Sequence, residues 1–228
     1  METDGLIDRL AANATPVRPL PNPWTRTGLW LAIALPYVAL VVIVMSPRPD
    51  LAMQLADPRF QVEQAAALVT AILAAAAAFT CVVSGRSRAI CLLPLIPLAV
   101  WLASLGYGCL QDWRTLGPEG LRLRVDWDCL PAAALVGIVP AIAIVAMLRR
   151  GAPLFPGATL ALAGLAVGAL AQAGMQVYHV GDISLMVLVW HLGSVAVLAA
   201  VAGWIGRWVL RWPVPAAILR RSASGSSW

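Results

Sequence analysis

Four cysteines and two histidines are the side chains of this 228-residue sequence with the most specific chemistry. Cys109 and Cys129 flank one polar stretch, so they are expected at one membrane depth, at the two ends of a single external loop. Three chemistries are open to them: a disulfide, a reactive dithiol, or two thiolate ligands for a soft metal. A disulfide here would close a loop of about 20 residues, worth about 3 kcal/mol by loop-closure entropy. His179 falls on the same side and could complete a Cys/Cys/His metal set, although a histidine at a helix end is more often an interfacial residue. His191 lies inside an apolar stretch, where an ionisable ring is costly and usually faces the interior of a bundle. Its conceivable partners are Tyr107, Ser194 and Gln172. Cys81 and Cys91 lie in apolar surroundings on the other side and read as small core residues kept reduced.

Six apolar stretches must position these groups, at 28–45, 65–83, 89–110, 130–148, 158–178 and 183–205. None contains Asp, Glu, Lys or Arg. Each reaches the roughly 18–20 residues that span about 30 Å of hydrocarbon as a helix. A helix pairs its own backbone groups where water is absent. The expected fold class is therefore an all-α membrane protein with six transmembrane helices. All cations are arginines, and 11 of the 16 fall on one side of the alternating loops, with 5 on the other. The richer side holds both termini, which the positive-inside rule makes cytoplasmic. The domains expected are a cytoplasmic leader (1–27), the six-helix domain (28–210) and a cytoplasmic tail (211–228). The first stretch is expected to be retained, since the leader has the wrong shape for a cleaved signal. The net charge of +5 sits as short brackets at helix ends, which does not suggest direct binding to nucleic acid.

The leader divides in two. Thr3 can cap a short helix over 4–13, with Leu6, Ile7 and Leu10 on one face. Pro16, Pro19, Pro21 and Pro23 then impose an extended spacer at 16–23. A short amphipathic helix on a stiff tether looks like a docking peptide; the bland alternative is a leader resting on the lipid surface. In the first external loop, at 46–61, residues 51–56 are expected to form a brief interfacial helix. The four-residue turn at 85–88 makes the second and third helices antiparallel neighbours. Gly164 and Gly168 have the GxxxG spacing that admits a close helix. Pro94, Pro97 and Pro140 are expected to kink the third and fourth helices. Trp113, Trp127 and the series Trp204, Trp208 and Trp212 suit the headgroup region.

Catalysis finds little support, because no span contains an acid and no nucleotide loop or nucleophile–base pair is visible. Paired, interrupted halves with intramembrane charge, the mark of many transporters, are absent too. A small transporter or channel for a metal ion or solute, built around His191 and Gln172, is nevertheless the alternative reading. A thiol-redox enzyme using Cys109 and Cys129 would also need a quinone or partner-thiol site that is not evident.

The segments ETDGLIDRLAANATPVRPLPNP, WLASLGYGC, DWDCL and SLMVLVWHLGSVAVLAA resemble the NrsF (negative regulator of sigma F) family of six-pass inner-membrane anti-sigma factors. The resemblance runs through nearly the whole chain. It implies a membrane-bound regulator that sequesters an extracytoplasmic-function sigma factor. The implied contact is the leader, here Leu6, Ile7 and Leu10 with Val17 and Arg18. It also implies that Cys109 and Cys129 sense stress, releasing the sigma factor when oxidants or thiol-binding heavy metals alter them. No resident cofactor is implied beyond transient heavy-metal binding at that pair. The partners implied are the sigma factor and the bilayer. Coupling would pass through the packing of the third and fourth helices.

Overall fold

A computed structural model of the chain describes residues 3–12, 20–83, 88–117, 129–151, 155–178 and 192–210, and these are all helix, turn or short connection. The elements in order are α1 (Thr3–Ala12), α2 (Pro23–Met45), α3 (Leu51–Ala56), α4 (Pro58–Thr80), a 3-10 turn (Arg88–Leu92), α5 (Leu95–Leu116), α6 (Cys129–Leu148), α7 (Pro156–Tyr178) and α8 (Leu192–Val209). Five helical segments are long and apolar enough to cross a membrane: Pro23–Met45, Pro58–Thr80, Ala89–Leu116, Pro131–Leu148 and Pro156–Tyr178. Within α8 the apolar helix Val195–Gly206 is shorter. The rest of the sixth expected stretch, 183–191, lies outside the described residues.

Two long helices start earlier than the apolar composition suggests. At α2, the Asn22 side chain accepts from the Trp24 backbone N–H at 3.0 Å, with Pro23 at the first helical position. At α4, Asp57 accepts from Arg59 N–H at 2.9 Å, with Pro58 next. In both, a side-chain oxygen satisfies an otherwise orphaned donor, and proline fills a position whose N–H has no helical partner. As a result Arg26, Arg59 and Glu63, assigned by sequence to the flanks, lie inside long helices. Pro94 is the residue before α5 and Pro97 stands in its first turn, where proline is tolerated. Pro140 is interior to α6, and α3 occupies the span expected for it.

α7 lies at the centre, packing against α8, α4, α6 and α2, while α4 packs against α7, α5 and α2. The expected α4–α5 neighbours thus pack together. The run of alanines at 74–78 is buried on every side of α4, as small residues allow when several helices meet one. The α7–α8 seam is built from glycine. A Cβ on Gly164 would stand 3.0 Å from the Ala199 Cα, and one on Gly168 would stand 2.6 Å from Val195. The GxxxG pair is therefore a close-approach surface, and Gly157, Gly203 and Gly206 extend it.

The helices alternate in direction. At one end, the Arg26 guanidinium in the first turn of α2 sits 4.5 Å from the Phe79 ring centroid near the end of α4. Its Nη2 donates to the Met147 carbonyl near the end of α6. Arg149 donates to the Val209 carbonyl at 3.2 Å, drawing in the end of α8. At the other end, Arg48 N–H donates to Val177 O at 3.1 Å, and Gln64 Nε2 donates to Gln176 Oε1 at 2.7 Å. The start of α2 and the end of α8 therefore share one end of the bundle.

Arg48 also forks onto Asp50, with Nε and Nη2 donating to the two carboxylate oxygens at 2.6 and 2.8 Å. This holds the Asp50 carboxyl at about 2, against an ordinary 3.8. A depressed carboxylate contributes stability above its unfolded value and loses it as pH falls through the folded value. The fork is expected to stay closed above pH 3.8 and to open between there and about 2. A carboxyl chemical-shift titration checks this, and a midpoint at the ordinary value would remove the ion pair from the loop's account.

Candidate sensor and partner-binding sites

The leader helix forms as expected, one residue earlier at each end than the sequence reading, over Thr3–Ala12. Substantial packing of α1 against any other described element is absent, and Ile7 is 56% exposed. Leu6 and Leu10 share this short helix, but their side chains lie outside the described residues, as do Val17 and Arg18 entirely. The chain is described again from Leu20, which reaches the bundle beside Gly151 and Val82. The tether therefore joins the bundle at the end where Arg26 clamps α2, α4 and α6.

At the opposite end, Cys109 lies two turns before the end of α5 as a half-buried free thiol. Asp112 on its own helix, and Arg59 and Glu63 on α4, are the charges that act on it. Arg59 Nε donates to Glu63 Oε1 at 3.0 Å, and Ser104 Oγ on α5 donates to the same oxygen at 3.4 Å. Glu63 is only 7% exposed, so the Arg59 and Ser104 contacts offset part of the burial penalty on its carboxylate. Sequence reasoning missed this group because it began the second span at residue 65. The Asp57–Pro58 start signal would have placed Arg59 and Glu63 on the helix, one turn apart.

Cys129 is the first residue of α6, and its side chain lies outside the described residues, as does the whole of His179 and His191. The tentative Cys109/Cys129/His179 metal set therefore falls partly outside them. Among the described residues, no group of three or more His, Cys, Asp or Glu side chains could hold a metal ion. The partners weighed for His191 can be placed in part. Tyr107 is 56% exposed and its hydroxyl accepts from Gln111 at 2.9 Å, whereas Gln172 is buried in α7.

The helices that bear Cys109 and Cys129 do not pack along each other. α5 packs on α4, α6 packs on α2 and α7, and both touch α4. The third and fourth expected stretches, α5 and α6, thus share α4 as a neighbour rather than an extensive interface of their own. Cys81 caps the end of α4, and Cys91 lies in the following 3-10 turn, which packs against α4.

An apolar cleft of about 550 Å³ runs between α6, α7 and α8. Among the described residues that line it, Gln172 is the one polar side chain, with Gly137, Ile144, Gly164 and Leu198 among the apolar ones. Its surface suits an acyl chain or another helix better than a hydrated solute.

The helical bundle with its unpacked N-terminal helix defines a class: an all-helical chain compatible with multiple membrane crossings and carrying an exposed peptide at one end. The chain belongs to the NrsF family, negative regulator of sigma F, whose family model matches residues 10–212. No curated protein and no solved structure matches it. Membership makes the chain a negative regulator with a sigma factor as partner, a regulatory rather than catalytic role.

Proposed function

We propose that this chain is a six-pass anti-sigma factor of the bacterial inner membrane. Both termini face the cytoplasm, and the leader sequesters an extracytoplasmic-function sigma factor. The observation that carries the reading is α1. It is a short helix off the bundle with Ile7 exposed, in a family defined by regulation of a sigma factor. Leu6, Ile7 and Leu10 supply the apolar contact, and Val17 and Arg18 extend it along the tether. The arginine asymmetry supports the orientation, and the shared end of α2 and α8 agrees with an even number of crossings. The sigma factor, not this chain, meets the nucleic acid.

Release follows reaction of Cys109 and Cys129 with an oxidant or a thiol-binding heavy metal. Altering Cys109 changes the environment of the Arg59–Glu63–Ser104 group, and α4 carries that change across the membrane to Phe79. Phe79 underlies Arg26, in the first turn of the helix that follows the tether. A two-state change in α4 packing would bias how the leader is presented.

The test is purification of the full-length protein from membranes of its own host with its bound cytoplasmic proteins. Co-purification of a sigma factor is expected; correctly inserted protein that carries none would overturn the reading. Cys109→Ser and Cys129→Ser are each expected to leave expression and insertion intact. Each should lower stress induction of a sigma-dependent reporter by about tenfold or more, since losing even a supporting partner of a metal ligand costs about 10–100-fold. Unchanged induction in both would remove the pair from the mechanism.

A further inference from the structure

The turn after α6 places two exposed arginines at the mouth of the apolar cleft between α6, α7 and α8. α6 and α8 both pack on α7 but share no extensive interface of their own among the described residues, which leaves the cleft open between them. Its lining runs along α7 from Leu160 to Met175, about 22 Å at 1.5 Å per residue. One leaflet of hydrocarbon is about 15 Å deep. Small residues hollow the cleft out, among them Gly137 and Ala141 on α6, Ala163 on α7 and Ala202 on α8. Ile138 and Leu198 stand exposed at its rims.

Arg149 and Arg150 follow Leu148, the last residue of α6, one turn beyond Val145 in the lining. Arg149 Nε donates to the Val209 carbonyl at the end of α8 at 3.2 Å, so its guanidinium bridges the two helices that flank the cleft. The Arg150 backbone N–H donates to the Met147 carbonyl, which also accepts from Arg26. A third cation thereby joins the end of α6. Residues 84–92, 149–157 and 203–228, the sequence segments assigned to this end, contain no Asp or Glu. An anion here meets no competing carboxylate from them. Trp204 and Trp208, exposed near the end of α8 with ring centroids 5.2 Å apart, mark headgroup depth.

We propose that the cleft seats one acyl chain of an anionic phospholipid, whose phosphate is held by Arg149 and Arg150. Arginine forks onto phosphate oxygens with paired N–H groups, and basic sites between transmembrane helices take anionic headgroups. A zwitterionic headgroup brings its own cation to the arginines, and a hydrated solute gains nothing from the apolar lining. The leaflet follows from the orientation proposed above, whereas the site itself does not. A Cβ on Gly151, the residue after Arg150, would stand 3.3 Å from Leu20 Cδ1, where the tether reaches the bundle. The bound headgroup therefore stands beside the tether, and its charge bears on how the leader is presented.

Native mass spectrometry of the full-length protein, delipidated in detergent and offered phosphatidylglycerol or phosphatidylcholine of equal chain length, tests this without any sigma factor. The wild type is expected to retain one phosphatidylglycerol per chain, in preference to phosphatidylcholine by about tenfold or more. Arg149→Gln/Arg150→Gln should remove that preference, and Arg149→Lys/Arg150→Lys should keep most of it. Equal retention of both lipids by the wild type, or a preference that survives in the Gln variant, would overturn the assignment. So would release by inorganic phosphate, which has the charge without the chain. A phosphatidylglycerol with a photoreactive acyl chain, added to the wild type in detergent at one lipid per chain, requires no variant to fold. Its crosslinks are expected on cleft residues such as Ala141, Ala163 and Leu198. Crosslinks confined to the exposed face of α2, at Leu40 and Val44, would overturn the seating.

Discussion

Removing residues 1–13 is expected to abolish capture of the sigma factor while leaving insertion intact. α1 has no substantial packing partner in the bundle, so its loss takes nothing from the contacts between the long helices. The first long helix begins with its own cap, Asn22 holding the Trp24 N–H, and does not need the leader to start. Burying each of Leu6, Ile7 and Leu10 against a partner is worth about 1.5–3 kcal/mol. Even after ordering costs, losing three such contacts should weaken binding by about a thousandfold or more. Titration of purified sigma factor against both proteins in nanodiscs measures this directly. A narrower variant, Ile7→Asp, keeps the chain length and places a charge at an exposed position of α1. It should lose about tenfold to a hundredfold. Equal affinity of the truncated and full-length chains would move the contact to another cytoplasmic segment.

Much of this architecture is legible from composition because a bilayer imposes a simple rule. A run of about 20 apolar residues must be a helix, and five of the six expected stretches correspond to long apolar helices. Helix starts were less legible, since hydropathy reports where a helix becomes apolar and not where its backbone begins. The Asn22–Pro23 and Asp57–Pro58 pairs carried that information as capping chemistry. Missing them hid Glu63 and Arg59 beside Cys109, and left Arg26 among the arginines flanking the first apolar stretch. In the structure Arg26 is 4% exposed and holds three helices together. The packing of the turn that bears Cys91 against α4 could not be read at all, because it depends on how the chain returns after that helix. The leader helix was legible from its spacing of apolar residues, which no bundle contact alters.

The second large effect belongs to Gly206→Val, which is expected to separate α8 from α7. A Cβ at Gly206 would stand 2.5 Å from the Pro156 carbonyl oxygen, 2.9 Å from its carbon and 3.0 Å from the Gly157 Cα. These are backbone atoms at the start of α7, so no side-chain rotation relieves the clash. Neighbouring contacts leave no slack, because a Cβ on Gly157 would in turn stand 3.0 Å from the Gly203 carbonyl. One of the two helices must move. In lipid that movement is costly, since helix association there rests on close van der Waals packing rather than on a hydrophobic drive. Overpacking of this kind costs about 1–3 kcal/mol, and the loss of the Gly164 and Gly168 contacts along the same seam adds to it. Gly106→Ala supplies the contrast. A Cβ there meets nothing within 4 Å, and replacing a helical glycine should gain up to about 1 kcal/mol. Thermal unfolding in the same detergent should therefore move in opposite directions for the two variants. The seam also bears on regulation: Arg149 reaches the Val209 carbonyl from the end of α6, at the end of the bundle where the tether enters. A seam forced open should loosen that end, so Gly206→Val should also weaken sigma-factor retention. If Gly206→Val behaves like Gly106→Ala, the close glycine approach does not hold α8 in place.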